Sequence, residues 1–218
     1  MGTRNLTCVV VDGEYKVAQY GQWDGYPDGQ GVTVLDFLQT VDMGEFKDRL
    51  AHVTQVTDKE IGDVWVECGA ERGVPFVSIE VSKKVKAKYP QFSRDTAAEV
   101  LPLIMNSEGE FKLQGDIGFA TQSLFCEWCY VVDMDKNTFE VYNGCNKSPI
   151  PKGERFYSED AVVDEDGYYP VRLRATFDLD KLPTKEKFLA TFKEDDGEGE
   201  SMGASYANAE SMIVKDTP

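Results

Sequence analysis

The chain predicts an α+β protein in which antiparallel strands pack with helices. Two β-prone runs open the sequence, a block with helical spacing occupies roughly positions 32 to 104, and strand-like periodicity returns after position 111. Strands and helices are thus grouped rather than alternating as βαβ units.

The elements follow in order. NLTCVVV (5–11) is apolar on both faces and reads as a central buried strand. Asp12-Gly13 is a two-residue hairpin signal, and EYKVAQY (14–20) is the return strand. VTVLDFLQTV places Val34, Leu35, Leu38 and Val41 on one helical stripe, and EFKDRLAHV does the same with Phe46, Leu50 and Val53. TDKE (57–60) is a capping box that opens a helix carrying Ile61, Val64, Trp65 and Cys68. KKVKAK (83–88) is a solvated helix face. Another helix is expected over 93–104, opened by Ser93 and kinked or ended by Pro102. LFCEWCYVVDMDKNTFEVYNG predicts a hairpin with strands at 124–132 and 138–142. YYPVRLRATFDL gives a further strand, and Thr184 starts a last helix. The expectation is one domain over 1–193, with 194–218 an acidic disordered tail.

Composition excludes several functions. The formal charge of −16 opposes nucleic-acid binding. No run is long and apolar enough to span a membrane, and the N-terminus shows no secretory pattern, so a cytoplasmic location is expected. Cys126 and Cys129 form a C-x-x-C, but strand flanks would point them to opposite faces. Without further ligands at suitable spacing, neither a metal nor a cofactor is expected. His52 is the single histidine, on a helix surface, which argues against histidine-based nucleophilic catalysis.

QYGQWDGYPDGQG (19–31) is the best candidate for a working surface. Its glycines permit left-handed turns and close backbone approach. Tyr20, Trp23 and Tyr26 offer flat faces with polar edges, and Gln19, Gln22 and Asp24 supply donors and acceptors. Backbone N–H groups of GQGVT offer an anion cradle. Arg4 and Asn5, at the start of the first strand, complete the expected ligand-binding set. Glu127, read as lying mid-strand between apolar faces, needs a partner, and Arg4 is the candidate.

Two resemblances accompany these residues. GTRNLTCVVVDGEYKVAQYGQWDGYP together with LFCEWCYVVD resembles an uncharacterised family carried by bacteriophages and also seen in fungi. GTRNLTCVVVDGEYKVA is similar to the first hairpin of proteasome-type N-terminal-nucleophile hydrolases. The second resemblance implies an αββα sandwich and, after processing, a nucleophile at Thr3 whose own α-amine serves as base. The family's aspartate position falls on Gln19, and its lysine position falls near Leu35. The expected function is that of a phage-type accessory protein recognising a small molecule or protein through a pocket formed by the first strand, the glycine-aromatic loop and the strand of Glu127. Alternatives are an amide hydrolase acting through Thr3, with Glu127 as a candidate acid, and an acidic counter-defence inhibitor that captures a host protein.

Overall fold

The computed structural model describes residues 2–74, 77–157 and 166–193. The expected tail at 194–218 lies outside them. The N-terminal hairpin is formed by β1 (Asn5–Val11) and β2 (Glu14–Gly21). The helical block contains α1 (Val32–Thr40), α2 (Met43–Leu50), α3 (Asp58–Glu67), α4 (Ile79–Lys88) and α5 (Val100–Met105). It is interrupted by β3 (Val53–Gln55), which pairs with β4 (Phe111–Leu113) as a small parallel ribbon. The strands β5 (Trp128–Asp133), β6 (Thr138–Asn143) and β7 (Arg172–Asp178) follow, then α6 (Lys185–Ala190).

The fold is α+β. Its main sheet has the order β2-β1-β5-β6-β7. It departs from the expected antiparallel pattern at one place, because β1 and β5 run parallel. These strands are not linked by a hairpin. The helical block lies between them and returns the chain to the starting end, which is what a parallel pairing requires.

The alternation of β1 divides the core. Val9 and Val11 join Val17, Tyr130, Val132, Phe139 and Val141 beneath α1, α2, α5 and α6. Leu6, Cys8 and Val10 face the other way, against Phe119, Ala120, Cys126 and Val171. Among the described residues, that second face is covered by the 3₁₀ turn Ile117–Thr121 and irregular chain, with no second large sheet. The β3–β4 ribbon packs on the helix side, where Leu113 is buried. The layers therefore differ from the αββα sandwich implied by the hydrolase resemblance.

Local differences from the sequence expectations have simple causes. Thr57 and Glu60 do form the capping box of α3. Ser93 does not open a helix; its hydroxyl accepts from Asp95 N–H in a turn. Helix α5 starts later, at Val100, and Pro102 falls in its first turn, where an N–H has no intrahelical partner to lose. Residues 124–127 are not strand. Phe125 and Cys126 N–H both donate to Gln122 O, so the chain turns and β5 begins only at Trp128. The shift in phase brings Cys126 and Cys129 into the same buried cluster, instead of opposite faces. Burial pushes both thiols well up.

Beyond the β5–β6 turn lies a buried ionic network that periodicity did not reveal. Arg155 pairs with Asp133, and its Nε donates to Glu140 Oε2 at 2.6 Å. Tyr142 OH donates to the same oxygen at 2.6 Å. Burial pushes both carboxyls up, but hydrogen bonds and charge from Arg155 outweigh it and leave them below their ordinary range. The Arg155, Asp133 and Glu140 side chains are only 8, 3 and 8% exposed. A depressed carboxyl contributes stability that is present above its unfolded value, near pH 4, and lost as pH falls through its folded value. Arg155→Leu should cost about 3–5 kcal/mol at pH 7 by stranding two buried carboxylates. Urea titrations should show that deficit shrinking toward about pH 4, as the stranded carboxyls take up protons.

Candidate functional site

At one end of the main sheet, β1 and β5 begin and β2 and β6 end. The loop after Gly21 crosses this end and is fixed along its length. Gln22 N–H donates to Arg94 O at 2.8 Å, and Gly25 N–H to Thr3 O at 3.0 Å. Asn5 Nδ2 holds Trp23 O at 3.2 Å, while the buried Tyr130 hydroxyl donates to Gly25 O at 2.7 Å. Gln30 N–H closes back on Asp24 O at 2.8 Å, and Ala98 N–H donates to Gln30 Oε1 at 3.1 Å. The loop is therefore a fastened surface, with bonds to both flanking segments of the chain.

Its glycines serve close approach rather than left-handed backbone. None of Gly21, Gly25, Gly29 and Gly31 has positive φ; the left-handed residue is Asp24, at φ 56°. A Cβ on Gly25 would stand 2.6 Å from Thr3 O and 2.9 Å from Asn5 Cβ. The expected anion cradle is not formed. The N–H groups of Gly29, Gln30 and Gly31 are bonded inside the loop, to Tyr26 O and Asp24 O, across the π-helical turn Pro27–Gly31.

Fastening the backbone leaves the aromatic rings outside. Trp23 is 45% exposed and Tyr26 54%. The Trp23 indole lies over Gly2, where a Cβ would come within 2.2 Å of the ring, and its Nε1 donates to Asp95 Oδ1 at 3.1 Å. Trp23 and Tyr26 line neither of two surface depressions found elsewhere. One, of about 280 Å³, lies beside Asn143, Asn146, Lys147 and Arg172. The other, of about 450 Å³, lies between α3 and the β3–β4 ribbon. What the loop presents to solvent is these two part-exposed rings on a fastened backbone.

The other expected site residues separate by strand alternation. Asn5 and Gln19 lie on the helix-covered face, in line with Val9 and Val17. Tyr20 lies on the opposite face, edge-on to Phe119 at 5.0 Å, and its hydroxyl donates to Gln22 Oε1 at 2.8 Å. Burial pushes the Tyr20 hydroxyl up. Arg4 and Glu127 do meet, with Arg4 Nε 4.0 Å from Glu127 Oε1 and Arg4 N–H donating to that oxygen at 3.1 Å. Glu127 is not buried mid-strand, however. It precedes β5, and the two side chains are 23 and 32% exposed. Arg4 also stacks over Phe125, 4.8 Å from the ring centre, and Phe125 is itself 44% exposed.

No family model, curated protein or solved structure matches the chain.

Thr3 is 9% exposed just ahead of β1. Gln19 pairs with Thr7, four residues further along the strand, which is about 13 Å at normal strand rise. Leu35 is fully buried in α1. The two positions matched to the hydrolase charges therefore hold an amide and a core side chain. Among the described residues, no group of three or more His, Cys, Asp or Glu is placed to hold a metal ion.

Sequence reading missed Asp95 and Tyr130 as partners of the loop, and Phe125 as the ring beneath Arg4. Phe125 falls in the expected strand at 124–132, whereas the chain turns there and frees its ring for Arg4. The roles of Asp95 and Tyr130 depend on contacts across 72 and 105 residues, which no local pattern encodes.

Gly25→Ala should destabilise the protein by about 1–3 kcal/mol, because the added methyl meets backbone rather than a yielding side chain. A lower Tm with a shift in Trp fluorescence would report the displaced loop. Glu127→Gln should cost at most about 1 kcal/mol, since a part-exposed ion pair is screened by solvent. A loss of several kcal/mol in chemical denaturation would contradict that placement.

Proposed function

We propose that this protein is a recognition module that binds a partner protein through the exposed loop surface of Trp23 and Tyr26. The observation that carries this reading is the combination of a fastened backbone with exposed aromatic rings. Trp and Tyr supply a large contact area with few rotatable bonds, and they dominate the energetics of protein interfaces. A pre-ordered loop also spends little further entropy when it binds.

The chemistry around the rings favours a basic partner. Asp24 and Asp28 are exposed beside them, and the chain carries a net charge of −16; Asp95 is shared between Trp23 and Lys86. Opposite charge on the partner would steer encounter and set specificity, while the rings supply contact energy. The resemblance to a phage-borne family fits an accessory factor that captures a host protein in the cytoplasm.

Trp23→Ala should weaken partner binding by about 2 kcal/mol or more. Its effect on stability should stay near 1 kcal/mol, because the ring is already half in water. Calorimetry with a captured basic partner, at two salt concentrations, measures both the loss and the electrostatic share. Unchanged affinity in both Trp23→Ala and Tyr26→Ala would refute the loop as the binding surface.

A further inference from the structure

The helix-covered face of the β1–β2 hairpin carries three polar side chains at its loop end. Asn5, Thr7 and Gln19 are 0, 0 and 5% exposed. Thr7 and Gln19 are direct cross-strand partners, and Asn5 occupies the next pair on that face, opposite Gly21. Same-face neighbours of this kind stand about 5–8 Å apart, so the three form one contiguous patch.

Each of the three has an oxygen with no hydrogen-bond partner among the described residues: Asn5 Oδ1, Thr7 Oγ1 and Gln19 Oε1. The amide nitrogens are occupied. Asn5 Nδ2 donates to Gly21 O at 3.4 Å and Trp23 O at 3.2 Å, and Gln19 Nε2 donates to Tyr20 O at 3.3 Å. Turning the Asn5 amide over would set its oxygen against two carbonyls, so the orphan is an acceptor. Buried polar atoms are nearly always satisfied, and three orphans on one patch call for a common partner.

We propose that this patch is a binding site for an internal water molecule bridging Asn5, Thr7 and Gln19. The valences match. Two amide oxygens need donors, and a hydroxyl needs an acceptor for its proton. One water donates twice and accepts from Thr7, which satisfies all three atoms; internal waters typically make about three such bonds. The chemistry disfavours a metal cation. The three oxygens are neutral, and hard cations gather six or more oxygens with carboxylates among them. The site is closed on the loop side, where a Cβ on Gly21 would meet Ala97 Cβ at 2.5 Å and Asn5 Oδ1 at 2.6 Å. On the other side Thr7 is paired with the fully buried Tyr130 across β1–β5. Because Asn5 also holds the Trp23 carbonyl, the water orients the side chain that fastens the loop.

A high-resolution crystal structure of the full chain tests the site without any substitution. The expected result is one well-ordered solvent peak within hydrogen-bond distance of all three oxygens. Direct bonds among the three side chains with no solvent peak would overturn the proposal. So would an anomalous peak at the site in crystals grown with thallium(I), which marks a monovalent cation. In solution, ¹⁷O relaxation dispersion should detect a long-lived internal water that is lost in Thr7→Val/Gln19→Leu. If that variant folds and retains the same number of long-lived waters as the parent protein, the assignment is wrong.

Discussion

The register of β1 between β2 and β5 is the constraint on which the rest of the molecule depends. Asn5 lies opposite Gly21 on one side and Trp128 on the other. That alignment brings the loop after Gly21 and the turn before Trp128 to the same end of the sheet. A slip of one residue would exchange the two faces of β1 and place Leu6, Cys8 and Val10 beneath the helices. Both faces are buried, so the register is specified twice, by Val9 and Val11 on the helix side and by Leu6, Cys8 and Val10 on the other.

The same alternation explains why a continuous stretch of sequence does not form one surface. Asn5 and Gln19 work from below, holding the loop backbone or lying beneath it, whereas Arg4, Tyr20 and Gln22 sit on the far side of the strands. Only Trp23, Asp24 and Tyr26, beyond the end of β2, are free of this division. A loop can present neighbouring residues together because it has left the two-residue period of the strand.

Much of the fold was legible from short-range chemistry. NLTCVVV announced a central strand, Asp12-Gly13 its hairpin, and Thr57 with Glu60 a helix start. The errors arose where short-range pattern competed with tertiary geometry. LFCEWCYVV reads as one strand, yet its first residues bend back on Gln122 and alter the placement of both Glu127 and Cys126. In the glycine-rich loop, closeness to Thr3 and Asn5, rather than left-handed backbone, is what excludes side chains at Gly25. Glu140, an acid between Phe139 and Val141, was the missed clue to the Arg155 network; the arginine itself comes from an irregular segment 15 residues further on. The parallel direction of β5 could not be read locally, since it depends on the path of the entire helical block.

That path has a consequence for how the protein is made. The β1–β2 hairpin is synthesised before the rest of the sheet, but the neighbour that completes β1 is Trp128–Asp133, more than a hundred residues later. Until then β1 is an unpaired edge with apolar side chains on both faces, the kind of surface that invites association between nascent chains. Pairings that wait on so much chain are also slow to form. The most deeply buried strand of the finished protein is therefore the longest exposed during its assembly, and the yield of folded molecules should depend on what shields it in that interval.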